Sequence, residues 1–208
     1  MRGLPRAPTA LYRRGMSHHR HHGDDFDWEA MADKLEVDGA FVLPLVESVV
    51  AELRKAGLDS RTVGHVVDVG CGPGVVTCAL AEHFPAAAVT GVDSSEGLLD
   101  RLRRRATEEG LDARVDAVVG DVENGLPTLA PANVVWASMI VHHVDDPSAT
   151  LRRLGGLICP GGTLVLVEFG GDPRVLPDGD PLVAGGTCAL RESQLWDFRS
   201  ADKHRIPA

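Results

Sequence analysis

Short apolar runs alternate with segments of helical periodicity along the middle of the chain. His65–Val69 and residues 88–92 are apolar without alternation, which is the pattern of strands covered on both faces in a parallel sheet. The segment after each run repeats its apolar residues at helical spacing, as Leu98, Leu99 and Leu102 do. Strand and helix in this order predict right-handed crossovers and an α/β fold, with a doubly wound, Rossmann-like, mostly parallel sheet between two helical layers.

The helices carry three further expectations. The helix after the first strand should begin after Gly74 and end before Pro85. Residues 28–58 repeat apolar positions at helical offsets, but Gly39 and Pro44 interrupt them, which predicts two helices that break near Gly39. The helix after the second strand has an arginine-rich side, which we interpret as a solvated face. Its arginines are Arg101, Arg103, Arg104 and Arg105.

Composition shifts divide the chain into four parts. Residues 1–25 are expected to be a disordered segment, residues 26–59 a helical cap, residues 60–170 the sheet core and residues 171–208 a Gly- and Pro-rich tail. Within the first part, we interpret residues 1–15 as an extension from a misplaced start codon upstream of Met16. In the cap, Phe26 and Trp28 are either lid aromatics or core anchors of the first helix.

A histidine tract in the terminal segment offers nitrogen ligands without a frame to hold them. His18, His19, His21 and His22 stand beside two aspartates, a composition that can capture a transition metal. A terminal segment supplies no fixed coordination geometry, so we predict no metal site.

The charge of the chain narrows the class of partner. Asp and Glu number 30 against 21 Lys and Arg, a formal net charge of −9 in 208 residues. An acidic chain lacks the basic footprint of nucleic-acid and anionic-membrane binding, so a small-molecule substrate is expected. The four cysteines have no metal or disulfide spacing and are interpreted as reduced thiols of a cytoplasmic protein. No apolar run approaches the roughly 20 residues of a membrane span.

A glycine-dense turn follows the first strand. Gly70, Gly72 and Gly74 remove Cβ atoms that would stop a backbone from touching a ligand, and they permit the positive φ of a sharp turn. Asp93 ends the second strand 21 residues after Gly72, the offset at which an acid accepts hydrogen bonds from ribose hydroxyls. Its alternative role is to cap the following helix. The pattern predicts a nucleoside-cofactor site.

The spacing of the glycines argues against a dinucleotide. The dinucleotide fingerprint needs glycine where this chain has Val75, and Asp68 just before the turn is a poor neighbour for a diphosphate. The lone tyrosine is Tyr12, so the Tyr-x-x-x-Lys pair of short-chain dehydrogenases cannot form in the core.

Residues 67–74, Val-Asp-Val-Gly-Cys-Gly-Pro-Gly, resemble the first motif of the class I S-adenosylmethionine-dependent methyltransferases. Three later segments match the same family in order and distance. Residues 118–122 are similar to its third strand and following acid, residues 133–138 to its fourth strand, and residues 157–168 to its helix, Pro-Gly-Gly turn and fifth strand. The resemblance covers roughly residues 60–170, a length typical of one α/β domain.

This resemblance implies an enzyme that uses S-adenosylmethionine, releases S-adenosylhomocysteine and methylates an acceptor. The family's device for exocyclic amines, Asn/Asp-Pro-Pro-Tyr, is absent after the fourth strand, which favours a small organic acceptor. The residues expected to bind the cofactor are Asp68, Gly70, Cys71, Gly72, Gly74, Asp93, Ser94, Asp121, Val122 and Ser138. His142, His143 and Glu168 are candidate bases or substrate contacts, and their alternatives are packing histidines and a solvated acid.

The segment after Gly170 departs from the family pattern. The family normally ends in a helix and a hairpin that supply a sixth and a seventh strand, and the 38 residues here contain no apolar strand pair. The last two strands are therefore expected to be missing, which would leave the fifth strand as an open edge for self-association. The alternative function is a cofactor-binding, catalytically inactive or assembly subunit.

Overall fold

A five-stranded parallel sheet forms the centre of the molecule in the computed structural model, which describes residues 28–168. The strands are β1 (His65–Val69), β2 (Ala88–Asp93), β3 (Val115–Val119), β4 (Ala132–Ser138) and β5 (Ile158–Val167). The helices are α1 (Trp28–Lys55), α2 (Val75–His83), α3 (Glu96–Glu108) and α4 (Pro147–Gly156), with a 3-10 turn at Val141–His143.

The strand order is β3-β2-β1-β4-β5, and every neighbouring pair is parallel. The chain builds outward from β1 through β2 to β3 and then returns to the other side of β1 with β4. This reversal between β1 and β4 is the topological switch point, where ligands of doubly wound sheets bind outside the carboxyl ends of the strands. The predicted doubly wound fold is confirmed.

Two hydrophobic layers cover the sheet and explain the uninterrupted apolar runs. Val66 of β1 faces a cluster that includes α1, α2 and α3, whereas its neighbour Val67 faces a cluster that includes Leu154 of α4. All three side chains are fully buried. Because successive residues of a strand point to opposite faces, a strand buried on both sides is apolar at every position.

The predicted break of the first helix near Gly39 is wrong, because α1 runs unbroken through both Gly39 and Pro44. A Cβ at Gly39 would lie 2.9 Å from the Cβ of Val75, so the glycine permits close contact between α1 and α2. Burial of the apolar face of α1, including Val46 and Val50, outweighs the local cost of these residues in a helix.

The arginines of α3 are only partly a solvated face. Arg103 and Arg104 are exposed, as predicted. The side chain of Arg101 is only 11 % exposed and forms ion pairs with α1, which corrects the expectation for that residue.

Two strands differ from their expected bounds. β3 runs from Val115 to Val119 and precedes the turn that Asp121 forms with Gly125, whereas the sequence placed both the strand and its following acid within residues 118–122. β5 begins at Ile158, so the Pro-Gly-Gly segment lies inside an irregular stretch of the strand rather than in a turn before it. A Cβ at Gly162 would lie 2.9 Å from the carbonyl oxygen of Ala132, which shows how closely this stretch approaches β4.

Several predictions concern residues outside 28–168, or side chains that the structure does not describe. These are the histidine tract, the upstream extension, the side chains of Phe26 and Trp28, and the tail from residue 171. Within the described part of the chain, β5 has a neighbour on one side only. The helices of the same part include none with the length and apolar character of a membrane span.

Candidate functional site

The turn between β1 and α2, residues 70–74, is fixed by hydrogen bonds to the end of β2. The amides of Gly70 and Cys71 donate to the carbonyl of Val92 at 2.8 and 3.1 Å. The amide of Gly72 donates to the carboxylate of Asp93 at 2.9 Å. The turn and the acid that the sequence paired at a distance of 21 residues therefore meet at the carboxyl edge of the sheet.

The three glycines of this turn all have positive φ, of 73°, 54° and 84° in chain order. A Cβ at Gly70 would lie 2.2 Å from Ile140, and one at Gly74 would lie 2.2 Å from Leu102. A Cβ at Gly72 would meet nothing within 4 Å. Packing inside the protein thus accounts for Gly70 and Gly74 without any ligand, and the space for a ligand against the backbone lies at Gly72.

Asp93 ties the glycine turn to the start of α3. One carboxylate oxygen accepts the Gly72 amide and the other accepts the Ser95 amide, both at 2.9 Å. Burial raises the pKa of Asp93, and the amides of Ser95, Gly72 and Ser94 act in the opposite direction. The side chain that caps α3 is that of Ser95, which accepts from the Leu98 amide, so Asp93 is not the helix cap. Ser94, between the two, is exposed.

Asp68 lies beneath the turn rather than on its surface. It is 2 % exposed, and its Oδ2 accepts the hydroxyl of Thr77 at 2.6 Å. Burial raises the pKa of Asp68 to about 7, the Thr77 hydroxyl opposes this, and the charge of Asp93 adds to it. Burial also raises the pKa of the neighbouring Cys71 thiol far above its usual range, so this cysteine is an inert, packed side chain. Thr77 was missed by the sequence analysis.

Asp121 organises the turn after β3. Its Oδ1 accepts the amide of Glu123 at 2.7 Å, and its Oδ2 accepts the side-chain amide of Asn124 at 2.6 Å. Burial raises the pKa of Asp121, but the donors from Asn124 and Glu123 outweigh it and leave the pKa below its usual range. Val122 is half-buried against the core cluster that contains Val67. This geometry is that of a turn-forming acid at the mouth of the sheet.

A second group of candidate residues follows β4, which ends at the half-buried Ser138. Glu168, just past β5, accepts the amides of Ile140 and Val141 with Oε1 at 3.0 and 2.6 Å. Its Oε2 lies 2.7 Å from Nδ1 of His142. The sequence predicted Glu168 and His142 as independent candidates, whereas in the structure their side chains form a hydrogen bond.

The two neighbouring histidines have different surroundings. A carboxylate oxygen at Nδ1 of His142 fixes the proton on that nitrogen, which leaves the lone pair on Nε2. The ring centroids of His142 and His143 lie 3.9 Å apart. Partial burial lowers the pKa of His143, the neighbouring His142 lowers it further, and Glu168 opposes the shift. His142 is therefore oriented by Glu168, and the lowered pKa of His143 favours its neutral form.

The two groups touch through Ile140, whose side chain fills the space that a Cβ at Gly70 would need. The glycine turn and the loop of residues 138–143 thus line one edge of the sheet, beside the switch point.

A separate surface cavity of about 440 Å³ lies at the opposite, amino edge of the sheet. Its wall includes Arg54, Ser60 and His83, and none of the candidate residues lines it. The described residues contain no cluster of metal-ligating side chains.

Comparison with known proteins agrees with this architecture. A protein-family model described as a methyltransferase domain matches residues 66–162. An uncharacterized methyltransferase of Mycobacterium tuberculosis is 36 % identical over 104 residues, which is 50 % of each chain. A carboxy-S-adenosyl-L-methionine synthase of Chromohalobacter salexigens is 38 % identical over 122 residues, 57 % of this chain and 43 % of that protein. The chain spans about half the length of the curated relatives it matches.

Among solved structures, a S-adenosylmethionine-dependent methyltransferase of Aquifex aeolicus superposes with a TM-score of 0.59. It is 20 % identical, and the match covers 73 % of this chain and 78 % of that one. The methyltransferase domain matched over residues 66–162 and the shared fold agree with the resemblance of the motifs to the class I S-adenosylmethionine-dependent methyltransferases.

Proposed function

We propose that this chain binds S-adenosylmethionine against the glycine turn and transfers its methyl group to a small-molecule acceptor beside His142. The observation that supports this most is the open space at Gly72, next to the carboxylate of Asp93, at the switch point of the sheet. The rest of the turn is closed by packing, so this is the place where a ligand can reach the backbone.

The residues around Gly72 fit the polar groups of S-adenosylmethionine. Each oxygen of Asp93 accepts one backbone amide and has a further lone pair for a ribose hydroxyl. Asp68 would supply negative charge beneath the turn for the ammonium group. We assign Asp121 and Val122, which follow β3, to the adenine, because the motif resembles the family's third strand and its acid. Ser94 and Ser138 complete the surrounding surface, whereas Cys71, Gly70 and Gly74 shape the turn from within by their packing. The cofactor would supply a methyl group on a positively charged sulfur, which leaves as a neutral thioether.

On the acceptor side, His142 is the residue that we propose as general base. Nε2 carries the lone pair when Nδ1 is held by Glu168, so it can take the proton of a hydroxyl acceptor as the oxygen bonds to the methyl carbon. With an ammonium acceptor it would take the proton first, and the freed nitrogen lone pair would then attack the methyl carbon. The electron pair of the broken carbon–sulfur bond remains on sulfur. His143 would contribute shape and polarity, because its lowered pKa keeps it neutral.

Calorimetric titration tests the cofactor assignment. S-adenosylhomocysteine should bind and NAD should not, and Asp93→Ala should weaken binding by about 2–3 kcal/mol, the scale of lost charge-assisted hydrogen bonds. Asp112→Ala, at an exposed aspartate, is the matched control. Unchanged affinity in Asp93→Ala would remove this residue from the site. A mass-shift screen of small metabolites with S-adenosylmethionine then tests methyl transfer itself.

A second candidate is binding of the cofactor without methyl transfer. It is supported by the similarity to a protein named carboxy-S-adenosyl-L-methionine synthase and by a sheet of only five strands in the described part of the chain. Such a chain would bind S-adenosylmethionine or its carboxy derivative while producing no S-adenosylhomocysteine. Mass spectrometry of the cofactor after incubation with the acceptor screen distinguishes the two functions.

Within residues 28–168, no strand lies on the outer side of β5, which supports a proposal of self-association through that edge. The buried free thiols of Cys71 and Cys78 support a cytoplasmic location, where cysteines remain reduced. Light scattering of the purified chain and fractionation of cells that express it test these two proposals.

A further inference from the structure

Arg105 of α3 contacts three parts of the molecule at once. Its Nε lies 3.4 Å from the carbonyl oxygen of Pro73, within the glycine turn. Its Nη2 lies 3.3 Å from Glu36 of α1, and its Nη1 lies 3.4 Å from Glu109 at the end of its own helix. The side chain is 25 % exposed, so these contacts form at a partly covered position.

The carbonyl that Arg105 contacts has no other support from the backbone. No main-chain amide among the described residues donates to the oxygen of Pro73, although the amides of Gly70, Cys71, Gly72 and Gly74 all have partners. A planar guanidinium can donate in several directions from one rigid group, which a lysine ammonium on its flexible stem does less well.

α3 supports the turn by shape as well as by hydrogen bonding. Leu102, one helical turn before Arg105, packs where a Cβ at Gly74 would stand. Residues three apart lie on the same side of a helix, so both side chains reach the glycine turn from one face of α3. Sequence analysis assigned this arginine to a solvated face, because a pattern of charges does not show which residues lie opposite it.

Glu36 extends the contact to α1. Its second carboxylate oxygen lies 3.3 Å from Arg101, which also pairs with Asp33 at 3.0 Å. The same part of α1 presses Gly39 against Val75, the first residue of α2. α1 therefore contacts the surroundings of the glycine turn in two ways: through the ion pair of Glu36 with Arg105 and through the packing of Gly39 on Val75.

We propose that Arg105 is a positioning residue of the cofactor site, which holds the Pro73 carbonyl and ties the glycine turn to α1 through Glu36. This proposal rests on the proposed function for its ligand but not for its geometry. If the proposal is right, removing the contacts of Arg105 disturbs residues 70–78 and residues 31–41 together. It also lowers the affinity for the cofactor, although Arg105 does not contact the cofactor.

The test compares Arg105→Met, Arg105→Lys and the control Arg104→Met, which changes an exposed arginine of the same helix. We expect S-adenosylhomocysteine to bind Arg105→Met about five- to tenfold more weakly than the wild type, which is the scale of one ordinary hydrogen bond lost. Arg105→Lys should recover part of this loss, and Arg104→Met should change the affinity by less than about twofold. Hydrogen exchange of the ligand-free proteins should show faster exchange at both segments in Arg105→Met only.

The outcomes separate the two proposals. Wild-type affinity and wild-type exchange in Arg105→Met would overturn the role of Arg105. A lower melting temperature with unchanged affinity and unchanged exchange in the turn would overturn it too, because it would show only general stabilisation. If the wild type itself fails to bind S-adenosylhomocysteine, the proposed function fails, and the exchange of residues 70–78 alone decides whether Arg105 positions the turn.

Discussion

The two halves of the candidate site hold their backbone by different means. The cofactor half, which consists of residues 70–74 and the end of β2, is fixed by close packing against glycines and by main-chain hydrogen bonds. The acceptor half, residues 138–143 with Glu168, is fixed largely by one carboxylate that accepts two amides and one imidazole. Asp93 adds a carboxylate to the cofactor half, but there it supplements a frame that already exists.

This difference predicts different kinds of sensitivity. A frame made of close contacts fails when volume is added, because interiors are packed densely and have no spare room. A frame made of one carboxylate fails when charge or hydrogen-bonding pattern changes at constant volume. Substitutions matched in size or in chemistry can therefore test each half separately.

The largest effect is expected from added volume in the cofactor half. Gly70→Ala places a Cβ 2.2 Å from Ile140 at a φ of +73°, and we expect it to lower the free energy of unfolding by about 3 kcal/mol or more from overpacking and strain. Gly72→Ala meets no neighbour, so it should cost only the left-handed strain of about 1 kcal/mol. Urea unfolding measures both.

The affinity for the cofactor should separate these two glycine substitutions in a different way from their stability. Gly72→Ala fills the space that we assign to the ligand, so its affinity for S-adenosylhomocysteine should fall although its stability is nearly kept. Equal destabilisation by the two alanines, or undiminished binding by Gly72→Ala, would contradict the division between packed and open glycines.

The next effect is expected from Glu168→Gln in the acceptor half. Glutamine keeps an oxygen for the amides of Ile140 and Val141 but presents an amide donor to Nδ1 of His142, which moves the imidazole proton to Nε2 and removes the base. We expect turnover to fall by about 100-fold or more, the scale of general base catalysis, with little change in stability.

Calorimetry and the pH–rate profile check this expectation. The affinity for S-adenosylhomocysteine should remain near that of the wild type, since Glu168 lies outside the cofactor half. Glu168→Asp, which keeps the charge on a shorter side chain, is the companion variant. Wild-type turnover in Glu168→Gln would show that His142 is not the base.

The sequence predicted those parts of the molecule that local signals determine. The strand at His65–Val69, the inward face of Leu98, Leu99 and Leu102, and the end of α2 before Pro85 all agree with the structure. Each of these features depends on the burial of a short segment or on the restricted backbone of one residue type such as proline. Both can be recognised in a single sequence.

The failures come from contacts between distant segments. Gly39 looked like a helix breaker, whereas its lack of a side chain serves the contact with Val75. The pairing of His142 with Glu168 joins residues 26 positions apart, and the sequence offered no reason to prefer it to separate roles.

A smaller effect tests the one buried charge of the cofactor half, with Asp68→Asn. Burial raises the pKa of Asp68 to about 7 in the folded protein, against about 3.9 in the unfolded chain. The stability contributed by the protonated form is complete below about pH 4, and it is lost as the pH rises through about 7, because the unfolded state releases its proton first. Asparagine cannot ionise and still accepts the Thr77 hydroxyl, so it avoids this loss.

We therefore expect Asp68→Asn to be more stable than the wild type at pH 8 by about 1–3 kcal/mol, a discounted share of the roughly 4 kcal/mol that about three pKa units represent at about 1.4 kcal/mol each. The difference should vanish near pH 4. Urea unfolding at several pH values measures it, and Asp112→Asn controls for the loss of a surface charge. A constant difference across this pH range would show that Asp68 is ionised in the folded protein throughout.

The smallest effect concerns the backbone of the acceptor half, where Met139 is the only residue other than glycine with positive φ in the described part of the chain, at 60°. Left-handed backbone costs about 1–2 kcal/mol for a residue with a Cβ, and glycine escapes this cost. Met139→Gly should therefore be more stable than Met139→Ala by about 0.5–1 kcal/mol after the larger unfolded-state entropy of glycine is allowed for. Alanine removes the same side chain and so isolates the backbone, and thermal unfolding of the pair supplies the measurement. If alanine proves the more stable of the two, residue 139 does not hold a strained conformation in solution, and the acceptor half is held by Glu168 and by main-chain hydrogen bonds such as that from the Met139 amide to the Val167 carbonyl.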